Sequence, residues 1–461
     1  MNNVYISPFV DRYASKEMLY NFSPDKKFKT WRKLWIALAE KERQLGLPIT
    51  DDQIAELKLH QDDINYDVAR QYEEKLKHDV MAHIKAYGDQ CPKAKGIIHL
   101  GATSAYVVDN TDLLLIKDGY EIIREKLTKI ISQLAFFANQ YAALQTVAFT
   151  HFQPAQFTTV GKRACLWMHD LMLDIDDLDY RRTSMKFLGV KGTTGTQASF
   201  MALFDNDQDK VTRLDNNIAY DMGFSSVYPV SGQTYSRKID AQVHSVLSGV
   251  AESAHKFAND LRLLQHLNEI QEPFGKDQVG SSAMAYKRNP MKCERMTSLA
   301  RFVLSLQSNA DFTAASQWFE RTLDDSAGKR IALPEAFLAV DSILQVYLNV
   351  VSGLVVNKEI IEQNVMKELP SIVTENVLMA AVKNGGDRQE LHERIRQYML
   401  SNKDLIHCLK NDDVFSKVSH VIKNNPVDYV GRSVAQTLEF VEEVQNKIGI
   451  ISNDCASVEL L

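Results

Sequence analysis

Long runs of apolar residues, spaced alternately four and three positions apart, constrain the fold of this chain more than any other feature of its sequence. The clearest run lies between residues 110 and 141 and consists of Ile116, Tyr120, Ile123, Leu127, Ile130, Leu134, Phe137 and Tyr141. Residues with this spacing share one face of an α-helix, so the run predicts one long helix with an apolar face. A face of that length needs other helices to cover it.

Four further runs predict helices of comparable length. They lie within residues 157–178, 239–264, 290–309 and 337–354. Several long helices that follow one another predict a helical bundle. The same faces can also pair between chains, so the runs leave the oligomeric state open.

Shorter helical patterns lie on both sides of this region. Residues 30–45 have an apolar face that ends at Gly46, and the string T-D-D-Q at residues 50–53 has the form of a capping box. Residues 192–233 are rich in loop signals. The sequence therefore predicts an all-α fold with three domains: an N-terminal helical domain (1–104), a central long-helix bundle (105–356) and a C-terminal helical domain (357–461).

The composition is that of a soluble globular protein, with 45% hydrophobic and 24% charged residues in a chain of 461. Its net charge of −6 argues against nucleic-acid binding, so an anionic ligand needs a local cluster of Arg and Lys. We expect no membrane span and no metal site, because the chain lacks long uncharged apolar runs and metal-ligand spacing. The scattered cysteines favour free thiols in a cytoplasmic protein; they are Cys91, Cys165, Cys293, Cys408 and Cys455.

One loop carries an unusual concentration of polar groups. Residues 280–290 read G-S-S-A-M-A-Y-K-R-N-P, and the glycine and serines favour a mobile loop. Asn289 and Pro290 are interpreted as the N-cap and first residue of the following helix. Ser281 and Lys287 are therefore expected beside a helix N-terminus, which favours negative charge. A solvated surface loop is the alternative interpretation.

Two other strings place polar groups near predicted helix starts. Thr103 and Ser104 precede the string D-N-T-D at residues 109–112, and these residues can either bind a ligand or cap the long helix expected after them. His151 lies in T-H-F-Q-P-A-Q, where Pro154 places it just before the next helix. A lone histidine is more often structural than functional.

The segment at residues 318–330 holds two arginines with a serine between them. Arg321, Ser326 and Arg330 can form an anion clamp, because guanidinium groups bind phosphate and carboxylate bidentately. The alternative is pairing within a helix with the neighbouring acidic residues Glu320, Asp324 and Asp325.

Taken together and in this order, these strings resemble the fumarase/aspartase superfamily and, within it, the adenylosuccinate lyase branch. The loop is similar to the superfamily pattern Ser-Ser-x-Met-Pro-x-Lys-x-Asn-Pro, with Ala285 where the pattern has Pro. Tyr286 and Arg288 resemble the branch. The resemblance extends from the string R-Y-A-S at residues 12–15 almost to the C-terminus and is weakest after about residue 387.

The resemblance implies a lyase of purine biosynthesis that removes fumarate by β-elimination, from adenylosuccinate to give AMP and from the succinylocarboxamide intermediate SAICAR to give AICAR. It also implies no cofactor and a homotetramer whose active sites each draw on three chains. Ser281 is then the general base and His151 the general acid. His78 and Lys287 assist catalysis, and Glu294 orients His151. The implied substrate contacts are Arg12, Tyr13, Lys77, His78, Asp79, Thr103, Ser104, Gln233, Lys287, Asn289, Arg295, Arg321, Ser326 and Arg330.

Two alternatives stay open at this point. Another lyase of the superfamily, such as one acting on argininosuccinate, shares the loop and helical core but is expected to lack the paired arginine strings. A non-enzymatic helical protein descended from a lyase, as some lens crystallins are, is expected to have lost the serine or the histidine. Both Ser281 and His151 are present.

Overall fold

The structure, a computed structural model, describes residues 3–401 and 404–449. Its regular structure is almost entirely helical, which confirms the expected all-α class. The helices are α1 (Lys16–Asn21), α2 (Pro24–Gln44), α3 (Asp51–Leu59), α4 (Tyr66–Leu76), α5 (Asp79–Gln90), α6 (Ser104–Gln140), α7 (Val160–Ser184), α8 (Ala198–Leu203), α9 (Gln208–Asp221), α10 (Lys238–His266), α11 (Met291–Ser316), α12 (Asp325–Val351), α13 (Lys358–Lys383), α14 (Arg388–Leu400), α15 (Leu405–Asn411) and α16 (Ser433–Ile448). Two antiparallel strand pairs accompany them, β1 (Gln145–Thr150) with β2 (Gln153–Thr159) and β3 (Ile270–Gln271) with β4 (Val355–Val356).

The long helices α6, α7, α10, α11 and α12 pack against one another at the centre of the molecule. Their facing side chains are fully buried, among them Leu134 of α6 and Leu171 of α7. Phe257 of α10 stacks on Tyr347 of α12, with ring centroids 4.2 Å apart. The bundle predicted from the apolar runs is therefore present.

Helix α12 is long and apolar enough to cross a membrane if only length and composition are considered. However, 78% of its most apolar window is buried inside the fold, where α12 packs on α6, α10 and α11. The core helix of a bundle has the same composition, so packing accounts for its apolar character.

Helix α2 begins at Pro24, earlier than the expected residue 30. The Ser23 hydroxyl accepts a hydrogen bond from the Lys26 amide at 3.2 Å, and Pro24 occupies the first helical position. These start signals precede the apolar face on which the sequence prediction was based. The predicted capping box of Thr50 and Gln53 is present at the start of α3.

Helix α6 also begins earlier than expected, at Ser104. Asp109 and Asp112 therefore lie inside the helix, and the interpretation of residues 109–112 as preceding it is wrong. Both carboxylates pair with buried cations from other elements. These ion pairs let acidic side chains continue a helix that local sequence suggested had not yet begun.

The segment before α7 is a β-hairpin and not the beginning of a helix. Phe157 continues the apolar spacing of α7 but belongs to β2, and α7 starts only after an N-cap at Thr159. Pro154 is tolerated because β2 is paired on one side only. His151 and Phe152 form the turn between the strands. The expectation that His151 directly precedes a helix is therefore wrong.

The two predicted domain boundaries fall at the ends of structural elements. Residue 104 is the first residue of α6, and residue 356 is the last residue of β4. Because β4 pairs with β3, the start of the C-terminal helices is tied to the chain just after α10. The division into three domains stays a prediction.

Candidate active site

One cleft of about 540 Å³ gathers the largest group of predicted site residues. Its walls come from the starts of α5 and α6, the loop before α10 and the segment around the start of α12. The predicted residues that line it are Lys77, His78, Asp79, Thr103, Ser104, Gln233, Arg321, Ser326 and Arg330. Polar groups from distant parts of the chain thus converge in one concave site, as ligand binding requires.

The first wall is built where α4 ends and α5 begins. Lys77 ends α4 in a left-handed conformation, at φ 54°. The Nδ1 atom of His78 then accepts a hydrogen bond from the Met81 amide at 3.3 Å, so this histidine caps α5. An imidazole that accepts at Nδ1 carries its proton on Nε2 when neutral, which leaves Nε2 as the donor available to a ligand.

Asp79 connects this wall to Arg330. The Nη2 atom of Arg330 donates to Asp79 Oδ2 at 2.9 Å, and its Nε atom donates to the Ser326 hydroxyl at 3.3 Å. Burial raises the pKa of the Asp79 carboxyl, but the hydrogen bond and charge of Arg330 outweigh burial and hold this pKa below its usual value. Asp79 is therefore ionised at neutral pH and fixes the Arg330 guanidinium.

The start of α6 forms the second wall, with Thr103 and Ser104. Thr103 is the N-cap residue, but its side chain makes no capping hydrogen bond. Helix capping therefore does not explain why a hydroxyl side chain stands at residue 103. The first turn of α6 contains no acidic residue, and a helix N-terminus attracts anions. This wall suits a carboxylate.

Arg321 lies just before α12 and is held by the first residue of that helix. Its Nη1 atom donates to both oxygens of Asp325, each at 2.9 Å. The pairing alternative considered for the arginine string is thus realised with Asp325, yet Arg321 still lines the cleft. On the loop before α10, Gln233 donates through Nε2 to the Thr193 carbonyl at 3.1 Å.

Beneath the cleft lies a buried ionic network that sequence reasoning missed. Arg237, 2% exposed in its side chain, donates through both Nη atoms to Asp109 at 3.0 Å and through Nε to Asp325 at 2.5 Å. Lys329 pairs with Asp112 at 2.8 Å. Burial raises the pKa of Asp109, but Arg237 and Lys329 outweigh it, so the pKa lies below its usual value. The network fixes α6, α10 and α12 relative to one another.

The Ser281 hydroxyl lies in a turn of its own loop, outside this cleft. It accepts hydrogen bonds from the amides of Ala283 and Met284 at 3.3 and 3.1 Å. The ends of the loop are joined by Asn289, whose Nδ2 atom donates to the Gly280 carbonyl at 2.9 Å. Asn289 therefore closes the loop and does not cap α11.

The N-terminus of α11 is already occupied by a carboxylate. The helix begins at Met291, one residue later than predicted, with Pro290 as its N-cap. The oxygens of Glu272 accept hydrogen bonds from the amides of Lys292 and Cys293 at 3.0 and 2.9 Å. The geometry thus gives no support to the expectation that this helix end stabilises negative charge on the serine loop.

His151 lies exposed at the tip of the β1–β2 hairpin. His151 and Phe152 have φ values of 53° and 56°, a region that is uncommon for residues other than Gly and is tolerated better by His, Asn and Asp than by a bulky residue such as Phe. Hairpin turns of this kind normally use Asn-Gly. Backbone strain of this type clusters at functional sites, so the turn supports a functional interpretation of the histidine.

The remaining predicted residues lie at two other places. Glu294, in the first turn of α11, lines a separate cleft together with Arg288. The guanidinium of Arg295 lies 5.3 Å from the ring centroid of Tyr13, and that of Arg12 lies 6.0 Å from the same centroid. Within one chain, neither group lines the cleft at the starts of α5 and α6.

Comparisons with known proteins identify the family of the chain. A model of the lyase family matches residues 43–305. A fumarate lyase structure from Mesorhizobium sp. BNC1 has a TM-score of 0.81 at 22% identity, covering 95% of this chain and 99% of that one, a likeness that concerns the fold alone. An adenylosuccinate lyase of Saccharomyces cerevisiae is 49% identical over 96% of this chain and 95% of that protein. The adenylosuccinate lyase of Schizosaccharomyces pombe is 47% identical over 95% and 94%. With nearly half of its residues shared along almost its whole length, the chain belongs to the adenylosuccinate lyase family.

Proposed function

We propose that this enzyme removes fumarate from adenylosuccinate to give AMP, and from SAICAR to give AICAR. One observation carries the proposal: Arg321, Ser326 and Arg330 line the same cleft as Thr103 and Ser104. Both substrates have a phosphate at one end and a succinyl group with two carboxylates at the other. The cleft offers guanidinium groups to the first and a helix N-terminus with two hydroxyls to the second.

The arginines keep donors for a ligand although they are already paired. A guanidinium has five N–H groups; Arg321 uses one nitrogen on Asp325, and Arg330 uses two nitrogens on Asp79 and Ser326. Their remaining N–H groups bind the phosphate, and the carboxylates hold the side chains in place. Thr103 and Ser104 bind the succinyl carboxylates at the other wall.

The reaction needs a base, an acid and positive charge near the developing carbanion. Ser281 removes a proton from the succinyl β-carbon, and the electron pair is delocalised into the adjacent carboxylate. The C–N bond then breaks, the electron pair returns to form the double bond of fumarate, and the leaving nitrogen takes a proton from His151. Lys287 is the cation beside the carboxylate.

A serine hydroxyl is a poor base unless it is ionised, and the loop supplies a physical reason for ionisation. Two backbone amides, those of Ala283 and Met284, donate to the Ser281 oxygen. Hydrogen bonds donated to an oxygen favour its charged form. This arrangement replaces the helix dipole as the local support for an alkoxide at Ser281.

The separation of His151, the serine loop and the cleft within one chain supports active sites shared between subunits. Helix α7 carries an exposed apolar stripe at heptad spacing, formed by Leu166, Leu173 and Tyr180, which are 51%, 53% and 67% exposed. A stripe of this kind suits packing against helices of further copies. We propose a homotetramer in which each site takes residues from three chains.

The activity is tested with the purified full-length protein and adenylosuccinate. We expect the ultraviolet absorbance of the substrate to fall while AMP and fumarate form in equal amounts, and the same fumarate yield with SAICAR. Argininosuccinate is the matched control substrate and is expected to release no fumarate. Release from argininosuccinate alone would overturn the proposal in favour of another lyase of the superfamily.

Shared sites are tested by mixing inactive subunits. Ser281→Ala and His151→Gln proteins, dissociated and reassembled together, are expected to regain part of the activity, because some sites then receive an intact serine and an intact histidine. Each variant reassembled alone is the control. Light scattering checks for a tetramer, and Leu173→Glu is expected to give smaller species. A mixture as inactive as its components contradicts shared sites.

We also propose a cytoplasmic location. The described cysteines, Cys91, Cys165, Cys293 and Cys408, are all free thiols, which suits a reducing compartment. Cys455 lies outside the described residues. Fractionation of cells that make the protein, probed with an antibody against it, tests the location; recovery with a membrane or secreted fraction contradicts it.

A further inference from the structure

A second cavity of about 290 Å³ continues inward from the cleft. The two share Arg321, Ser326 and Arg330 in their walls, so one ligand can reach both. The inner cavity adds an apolar lining that includes Phe28 of α2 and Leu333 of α12. It also adds cations that the sequence strings did not indicate, among them Lys27 of α2.

Lys27 differs from the other cations that line this cavity. Each of the others forms an ion pair with a carboxylate; the pairs are Arg237–Asp109, Arg321–Asp325, Lys329–Asp112 and Arg330–Asp79. Among the described residues, Lys27 has no such partner. Its Nζ atom instead lies over aromatic rings, 5.3 Å from the Phe28 centroid and 5.1 Å from the Trp31 centroid.

The electrostatic surroundings of Lys27 suit an incoming anion. Burial is the largest influence on the pKa of Lys27 and lowers it; the charge of Asp112 raises this pKa, Arg330 lowers it, and Asp79 and Glu73 raise it, so that the pKa lies below its usual value. Lys27 is half-buried, and a cation that has lost part of its hydration and has no ion-pair partner gains from the arrival of an anion. An anion placed between Lys27 and Arg330 relieves both the missing counterion and the repulsion between the two cations.

We propose that Lys27 is a further phosphate-binding residue, whose ammonium group donates to the phosphate of the nucleotide from the inner end of the cleft. The inference rests on the proposed function, because it takes the nucleotide phosphate to lie at Arg321, Ser326 and Arg330. The aromatic rings of Phe28 and Trp31 hold the ammonium group of Lys27 in place, so that little side-chain freedom is lost when the phosphate arrives.

Calorimetric titration of the full-length protein with AMP tests this role. Lys27→Met keeps the length of the stem and removes the charge, so the Kd for AMP is expected to rise about 10- to 100-fold. The matched control is Lys26→Met, since Lys26 is a neighbouring lysine that pairs with Asp118 on the surface; it is expected to leave the Kd within about twofold. Adenosine, which lacks the phosphate, is expected to bind all three proteins alike.

Two results would overturn the proposal. An unchanged Kd for AMP in Lys27→Met excludes a phosphate contact. An equal loss for AMP and adenosine shows that Lys27 acts by packing on its aromatic neighbours. Binding of AMP is measured without turnover, so this inference can fail while fumarate is still released. Conversely, Lys27 can prove to bind the phosphate of AMP even if no fumarate is released from adenylosuccinate.

A measurement on the unmodified chain covers the case in which Lys27→Met does not fold. An amine-reactive reagent labels exposed lysines, and mass spectrometry reports each site. We expect AMP and inorganic phosphate to protect Lys27 but not Lys26, and adenosine to protect neither. Labelling of Lys27 that is unaffected by AMP contradicts the proposal; protection by adenosine as well indicates simple occlusion and also contradicts it.

Discussion

The guanidinium of Arg237 and the carboxylate of Asp109 meet in the interior through two parallel N–O contacts of 3.0 Å, although 128 residues separate them in sequence. Both side chains are 2% exposed. The same guanidinium holds Asp325, which in turn holds Arg321 at the edge of the cleft. The pair therefore links the stability of the fold to the geometry of the anion site.

Replacing Arg237 by Met is expected to destabilise the protein by about 3–5 kcal/mol, because it removes the bidentate partner of the buried Asp109 and one of the two arginine partners of the buried Asp325. Urea unfolding followed by circular dichroism measures the loss. The control is Arg396→Met, which breaks an exposed pair with Glu393 and is expected to leave the unfolding midpoint in place. Matching midpoints for the two variants contradict the role of the network.

Ser281→Ala is expected to abolish turnover and to leave substrate binding within about tenfold, because the hydroxyl acts on the proton of the substrate and not as an anchor. Rates of fumarate release and calorimetric binding of adenylosuccinate separate the two effects. The control is Ser305→Ala on the exposed face of α11. Near-normal turnover in Ser281→Ala removes this serine as the base.

His151→Gln is expected to slow fumarate release by about 10²–10⁴, the usual contribution of general acid catalysis. Glutamine keeps a polar side chain of similar length but has no titrating proton. The pH dependence of kcat separates this role from positioning, because the inflection that comes from the imidazole should be absent in His151→Gln. Unchanged rates with both adenylosuccinate and SAICAR exclude the assignment.

Ala285→Pro is expected to order the serine loop, because proline fixes φ and reduces the conformations open to the chain. Limited proteolysis should show slower cleavage between residues 280 and 290, and the rate of loop closure should change. The matched control is Ala283→Gly, a change in the same loop that is expected to speed cleavage. Identical proteolysis and identical kinetics in Ala285→Pro count against any effect of this residue.

The contribution of Glu42 in α2 to stability is expected to fall between about pH 5 and pH 9. Its side chain is fully buried, neither carboxylate oxygen has a hydrogen-bond partner among the described residues, and burial raises its pKa to about 9. Above the usual carboxyl pKa, the unfolded chain releases this proton while the folded protein retains it. The contribution of this residue to the free energy of folding therefore becomes less favourable as pH rises toward 9.

Glu42→Gln removes this titration and keeps the shape of the side chain. The melting temperature of Glu42→Gln minus that of the unmodified protein, measured from pH 5 to 8, is expected to increase steadily with pH. Glu40→Gln, which changes a carboxylate paired with Lys58 two residues away, is the control. Parallel curves for Glu42→Gln and the unmodified protein contradict the assignment.

The spacing of apolar residues predicted the long helices, because a helix with one buried face needs apolar residues at regular positions along the sequence. It failed where a side chain satisfies two patterns at once. Phe157 continues the spacing of α7, but it packs from a strand. Asp109 suggests a helix start by its chemistry, yet it lies inside α6 because Arg237 neutralises it. Local patterns contain no information about such distant partners.

The motif strings predicted which residues share the cleft better than they predicted their local structure. Thr103, Asp79 and Arg330 come from distant strings and line the same cleft. Arg237 and Lys27 were missed because neither lies in a distinctive string; only the cavity and the pairing of its neighbours identify them. The catalytic roles of Ser281 and His151 stay predictions, since the two side chains lie apart within one chain.

The cap that Glu272 provides to α11 has a consequence for movement. The carboxylate that precedes the serine loop binds the helix that follows it, so both ends of the intervening segment are anchored to the same point. Asn289 and Gly280 form a second tie within it. Ser281 can therefore move with its loop without disturbing the helical scaffold. Substitutions within residues 280–290 are expected to change the rate at which the loop moves. Substitution of Glu272 would instead detach the start of α11 from the chain that precedes the loop.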